Sequence, residues 1–459
     1  MHKGLPLVRP LHWLLLAFLL CGGGLLRYAY MHGTEVIMPG GAGDAGYYLR
    51  YAGNLVQHGV FSKDNSQTPP TPDAFWAPGY PLFLATLIAT AERVGTDPYL
   101  VVRSAQIALG TAAIGLTFGL ALSCVPASWA LLAAALVALS PHLISTEQYL
   151  LSETLTLFLL LASLLLYVQG MQRTSTPLLL AAGVGFAFTY MTNPVTLFIA
   201  PVAIGVTWFA RRGDADDCPR VSRRNAALIL GPLILAFSLW ALRGAVSVPP
   251  EGPGAGSRLL TNLVQGMHPD FHARWRANPR DPENPAMVDL EYVDGSYARF
   301  FERLAQEFST QPARMLHWYL VQKPLLLWDW DIRVGAGDIY TYPIFYSLYQ
   351  TNKPAMATYV AMRSLHHWLF GCAVLSLFFL LHRERSPQPH WTPLLLYACL
   401  SYVSAVYVIA QSEPRYSFPL RPEMYIMATF FLWQLWRRYV DYRASYRERA
   451  KRAASTVQR

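Results

Sequence analysis

Runs of about twenty apolar residues recur along this chain, and a run that long in a bilayer must close its backbone hydrogen bonds within itself, as a helix. The runs fall at approximately 11–31, 99–122, 127–145, 154–170, 177–192, 194–210, 226–242, 360–381, 392–411 and 418–436. Of the 459 residues, 53% are hydrophobic and 14% charged, against about 25% charged in a soluble domain. The expected fold is an all-α polytopic membrane protein of roughly 10–12 transmembrane helices, since several runs are short or touch one another.

The net charge of +9 does not point to nucleic acid, because the basic residues flank the apolar runs instead of forming one patch. One cluster holds Arg211, Arg212, Arg220, Arg223 and Arg224, a second Arg383 and Arg385. A third runs from Arg437 and Arg438 through Arg443, Arg447 and Arg449 to Lys451 and Arg452. With Lys3 and Arg9 inside and the sides alternating, all three clusters fall in the cytoplasm, as positive-inside sorting requires. The first run has no A-x-A-like cleavage site and reads as an uncleaved span. Cys21, Cys124, Cys218, Cys372 and Cys399 have neither metal nor disulfide spacing.

This alternation leaves two long segments outside, 32–98 and 243–359. The chain divides accordingly into an N-terminal transmembrane module (1–242, including the first outer loop), a second extracytoplasmic region (243–359), C-terminal transmembrane helices (360–436) and a basic cytoplasmic tail (437–459). Both outer segments carry helical periodicity. Tyr48, Tyr51 and Leu55 share one face, as do Tyr297, Phe300, Leu304 and Phe308, with Arg299, Glu302, Arg303 and Glu307 between them. Such helices suit the membrane interface. In PARMLHWYLVQKPLLLWDW, Pro312 sits at a helix start. A crossing there would invert every later side, so an interfacial or re-entrant helix is expected.

One acid stands alone in GGAGDAGYYLRYAGNLVQHG. The glycines at 40, 41 and 43 let the chain turn, and Asp44 then heads a helix, where it can cap the amides or act as a base. Seven patches follow in order: GDAGYYLRYAGNLVQHGVFS (43–62), APGYPLFLATLIA (77–89), SPHLISTEQYLLSETLTLFLLL (140–161), YMTNPVTLFIAPV (190–202), LWALRGAV (239–246), QPARMLHWYLVQKPLLLW (311–328) and EPRYSFPLRPEM (413–424). Their order resembles the GT-C class of integral-membrane glycosyltransferases, in the bacterial branch similar to protein O-mannosyltransferases and the lipid A aminoarabinose transferase.

The resemblance implies transfer of a sugar, with inversion, from a polyprenyl-phosphate-linked donor to an extracytoplasmic lipid, glycan or protein. The setting would be the bacterial inner membrane, with both termini cytoplasmic. In that family an acid of the first outer loop is essential, and here it is Asp44. Ala45 stands where relatives often keep a second acid, and Trp76 where they often keep a base before the PGYP-like patch.

A lipid-linked sugar phosphate needs cations at its anionic leaving group, and Arg415, Arg243 and Lys323 are the candidates. Glu153, Asp73, Tyr47, Tyr48, Trp76, Tyr416, Asp329 and Asp331 are candidates for the sugar and acceptor, with Glu147 a weaker one. His366-His367 reads as structural. A divalent metal is compatible with these residues, but no ligand motif calls for one. The alternative class is a transporter or flippase for a lipid-linked sugar. Against it, no two matching halves carry broken helices.

Overall fold

A computed structural model describes residues 8–37, 43–66, 68–212, 218–249, 252–278, 281–381 and 391–457. Lys3, Gly40, Gly41, Arg383 and Arg385 lie outside the described residues. The protein is almost wholly helical. The N-terminal half runs α1 (Pro10–His32), α2 (Gly43–His58), α3 (Gly79–Val94), α4 (Pro98–Ala121), α5 (Ala127–Leu139), α6 (Pro141–Thr146), α7 (Glu153–Arg173), α8 (Thr176–Thr192), α9 (Ile199–Arg212) and α10 (Arg223–Ser247). Short helices follow: α11 (Ala255–Met267), α12 (Phe271–Ala277), α13 (Pro285–Val293), α14 (Tyr297–Thr310), α15 (Pro312–His317), α16 (Lys323–Leu327) and α17 (Leu348–Thr351). The chain then returns to long helices, α18 (Lys353–Leu381), α19 (Trp391–Ile409) and α20 (Arg421–Val457).

Among the described residues, seven helices are long and apolar enough to cross a membrane, and α5 and α8 are shorter apolar ones. Every expected apolar run is helical, so the chain is a multi-pass membrane protein. Three boundaries differ from the sequence reading. The run at 127–145 breaks at Ser140, because Pro141 cannot continue α5 and instead starts α6. The run at 360–381 begins earlier, at Lys353. The last run and the basic tail form one helix, α20, which starts at Arg421 after a 3-10 turn from Pro414 to Leu420.

Local chemistry accounts for many ends. Asp97 caps α4, its carboxylate accepting from Tyr99 N (3.1 Å) and Leu100 N (3.2 Å) with Pro98 next in line. Ser296 caps α14 through Arg299 N at 3.3 Å. Between α15 and α16 a π-turn spans Trp318–Gln322. The whole 312–327 segment is 16 residues, about 24 Å at 1.5 Å per residue, short of a hydrocarbon core of about 30 Å.

The main core joins α1, α4, α5, α7 and α8 to α18, α19 and α20. It contains a buried arginine–carboxyl pair. Arg27 Nε meets Glu147 Oε1 at 2.9 Å, and its other nitrogens donate to the carbonyls of Gly23 (3.1 Å), Ala138 (3.1 Å) and Val137 (3.2 Å). Gly110 makes room, since a Cβ there would overlap the Glu147 carboxylate. A second cluster packs α2 on α3 and on Tyr149–Leu151. A third joins α11, α13 and α14, burying Phe300 from the amphipathic face expected of 297–308. A two-stranded ribbon, β1 (Glu35–Val36) antiparallel to β2 (Ile344–Tyr346), ties the chain after α1 to the loop before α17.

Candidate active site

The ends of α7, α8, α10 and α19 and the head of α2 meet around one cavity of about 210 Å³. Gly43 enters α2 at φ +54°, a left-handed conformation that glycine adopts without strain. Asp44 follows in the first turn. The Tyr342 hydroxyl accepts from Ala45 N at 3.1 Å and so takes one amide of the helix head.

The Asp44 carboxylate is bound instead by Arg415, on the 3-10 turn before α20. Arg415 also lies 3.1 Å, through Nε, from Glu153 Oε1 at the start of α7. One guanidinium thus bridges two acids from distant parts of the chain. The three are unequally covered: the Asp44 side chain is 30% exposed, Arg415 12% and Glu153 10%. Burial opposes the charge on Arg415, but Asp44 and Glu153 outweigh it and hold its pKa well above the usual guanidinium value.

Aromatic rings form the walls. Tyr48 packs edge-on against Trp76 (4.7 Å) and Tyr80 (4.8 Å), and its hydroxyl donates to Ser152 at 3.2 Å. Tyr416 stacks on Tyr407 at 5.0 Å, and Asn193 Nδ2 donates to the Tyr407 hydroxyl at 3.1 Å. Burial pushes Tyr342 and Tyr416 up to about 12, so both remain protonated donors. Arg258 of α11 also lines the cavity and lies over the Trp76 ring, 3.3 Å from its centre. The cavity therefore has two guanidinium groups and two carboxylates.

Of the residues singled out in sequence, Asp44, Glu153, Arg415, Tyr48, Trp76 and Tyr416 line this cavity. Tyr47 is set back, its ring 6.1 Å from Trp76. The others are placed elsewhere, each for a visible reason. Arg243 donates to the carbonyls of Asp73 and Phe61, fastening the first loop to α10. Asp73 is buried beneath that loop and accepts from the Tyr51 hydroxyl, Lys63 N (2.8 Å) and Phe75 N (3.1 Å). Lys323 is fully buried, its Nζ on the carbonyls of Gly266 (2.9 Å) and Ala410 (2.7 Å). Asp329 pairs with Arg333 at 2.5 Å, and Asp331 lies 3.7 Å from Arg363. His366 is buried and contacts the Trp328 carbonyl at 2.8 Å, a structural placement, whereas the His367 side chain is 69% exposed.

Sequence reasoning missed Arg258, Tyr342, Tyr407 and Asn193. Arg258 is the one charged side chain on α11, whose apolar face packs into the third cluster, and that was the available signal. Tyr342 lies just before β2, packs on Tyr149 and meets Ala45, and strands of two and three residues do not announce that placement in sequence. Among the described residues no group of three His, Cys, Asp or Glu side chains could hold a metal.

Residues 76–212 match the family model described as dolichyl-phosphate-mannose-protein mannosyltransferase. An archaeal oligosaccharyltransferase, AglB from Archaeoglobus fulgidus, solved with an inhibitory peptide and a dolichol-phosphate, superposes with TM-score 0.52 and 13% identity over 96% of this chain and 52% of that one. The apo form of the oligosaccharyltransferase from the same organism gives TM-score 0.52, 12% identity, and coverage of 95% and 52%. ArnT from Cupriavidus metallidurans, bound to undecaprenyl phosphate, gives TM-score 0.39 at 11% identity over 93% and 79%. No curated protein sequence matches significantly. The chain spans about half the length of the oligosaccharyltransferase chains it matches. The fold is of the GT-C type that the ordered sequence patches resemble.

Proposed function

We propose that this cavity transfers a sugar from a polyprenyl-phosphate-linked donor to an extracytoplasmic lipid, glycan or protein, with Asp44 as general base. The observation that carries the reading is the Asp44–Arg415–Glu153 bridge in an aromatic-walled cavity where several helices end. A polyprenyl phosphate leaving group is anionic, and two guanidinium groups, Arg415 and Arg258, are the residues suited to hold it. Asp44 is the more exposed partner of Arg415 and Glu153 the more buried one. Donor phosphate therefore replaces Asp44 on Arg415, while Glu153 keeps its hold.

That exchange frees the Asp44 carboxylate next to the sugar. Asp44 takes the proton of the acceptor hydroxyl as the acceptor oxygen bonds to the anomeric carbon. The bond from that carbon to the phosphate oxygen breaks, and the leaving phosphate carries its negative charge onto Arg415 and Arg258. With Asp44 as base and not nucleophile the displacement is single and the anomeric configuration inverts, the outcome that the family resemblance implies. Tyr48, Trp76, Tyr407 and Tyr416 supply flat apolar faces for the sugar and exclude water that would hydrolyse the donor.

Comparing glycolipids and exported proteins from a strain with and without this chain, by mass spectrometry, tests the reading. Loss of one defined sugar from one acceptor class is expected. Intact acceptors, together with flux of labelled lipid-linked sugar across liposomes containing the purified protein, would replace it with the transporter reading.

A further inference from the structure

Glu153 borders two spaces. One is the active-site cavity. The other, of about 10 Å³, lies behind it and is shared with Glu147, Thr146, Thr154, Gly110 and Arg27. A space of about 10–15 Å³ holds one water molecule when polar partners surround it. Here the partners are specific: Glu147 Oε2 and Glu153 Oε2 are both buried side-chain oxygens with no hydrogen-bond partner. Buried polar atoms are almost always satisfied, by protein or by ordered water. We propose that this space binds one water molecule that links Glu147 to Glu153 through a shared proton, and that Glu147 is a positioning residue for the Glu153–Arg415 pair.

Two carboxylates sharing so small a space do not both stay ionised. The surroundings decide which keeps the proton. Glu153 has Arg415 at 3.1 Å. Glu147 has Arg27, but that guanidinium also donates to the carbonyls of Val137 and Ala138 at the end of α5. The negative end of a helix balances much of a cation placed there, so Arg27 does not require an ionised Glu147. Burial pushes Glu147 up to about 8 even with Arg27 opposing it. The remaining charged or titratable neighbours are few. α1 presents Arg27, α7 presents Glu153, and α17 presents Tyr349, whose own interactions include Glu147 and Arg27. α4 offers Gly110 and Ala113 to this space, and α6 offers Thr146.

A protonated Glu147 donates to the water, and the water donates to Glu153, which stays anionic on Arg415. This matters when Asp44 leaves Arg415, because Glu153 is then the one acid still fixing the guanidinium. That role rests on the proposed transfer reaction, whereas the water and the shared proton do not. The test is therefore independent of activity: pH-titrated infrared difference spectroscopy of the full-length protein in nanodiscs, comparing wild type, Glu147→Gln and Glu153→Gln. In the wild type one component of the protonated-carboxyl band should vanish as pH rises through about 8, beside the Glu413 component that both variants keep. That component should be absent in Glu147→Gln, and shifted in frequency and midpoint in Glu153→Gln. A component unchanged in Glu147→Gln overturns the proposal. So does a Glu153→Gln spectrum with wild-type frequency and midpoint, a measurement that stands even if Glu147→Gln fails to fold.

Discussion

If donor phosphate must displace Asp44 from Arg415, then removing the Asp44 charge should make phosphate bind more tightly. Asp44→Asn keeps the shape of the side chain and abolishes its competition for the guanidinium. The magnitude follows from the burial of the pair. A hydrogen bond to a charged group is worth about 1.5–3 kcal/mol net, and an exposed ion pair about 0–1 kcal/mol. Asp44 is 30% exposed and Arg415 12%, which sets the pair between those limits, at about 1–2 kcal/mol. The affinity for polyprenyl phosphate should therefore rise by roughly 5–30-fold. Titration calorimetry of the purified protein with polyprenyl phosphate reads this directly. Binding that weakens or stays unchanged in Asp44→Asn would show that phosphate does not compete for Arg415, and the exchange mechanism would fail.

Other expectations follow from the same side-chain contacts. Arg258→Gln removes the second cation over Trp76 and should weaken polyprenyl phosphate binding by about 10–150-fold, one lost charge-assisted bond of about 1.5–3 kcal/mol; a change under about twofold would remove Arg258 from the phosphate site. Arg27→Met takes the donor from the buried Ala138 carbonyl and from Glu147 Oε1, while the Val137 carbonyl keeps the Ser140 amide; at about 1–3 kcal/mol for each group left unpaired, it should lower resistance to denaturation in detergent accordingly. Wild-type stability there would refute the account of this pair. Burial raises Glu413 from 4.5 to about 7, against the amides of Val334 and Arg333 that it accepts from. The folded protein thus binds this proton more tightly than the unfolded chain. The associated stability is present below pH 4.5 and lost as pH rises through about 7, on the order of 3 kcal/mol. Unfolding measured across that range should flatten in Glu413→Gln, and an unchanged slope would assign the dependence to another group.

The architecture was legible where one physical signal dominated. Twenty-residue apolar runs leave the backbone no alternative to helix, and the amphipathic face of 297–308 appears as Phe300 buried against α11 and α13. Pro141 shows the limit: a single residue split an apolar run that hydropathy joins. At the site, Asp44 and Arg415 were visible as charges beside apolar runs, yet nothing in sequence pairs residues 371 positions apart. Arg243, Asp73 and Lys323 looked equally available for chemistry. Their side chains instead satisfy loop amides and carbonyls, a use that depends on which backbone groups the fold leaves orphaned. Arg258 was overlooked because α11 sits where the sequence patches are weakest, and its role depends on the approach of Trp76 from another loop.

The central claim is that Asp44 is the base for glycosyl transfer. The most direct measurement compares single-turnover transfer from a polyprenyl-phosphate-linked sugar by wild type and Asp44→Asn, each shown by calorimetry to be saturated with that donor in the absence of acceptor. A general base contributes about 10²–10⁴-fold, so the variant should be slower by at least about 100-fold while fully loaded. Transfer at the wild-type rate by the loaded variant would contradict the account.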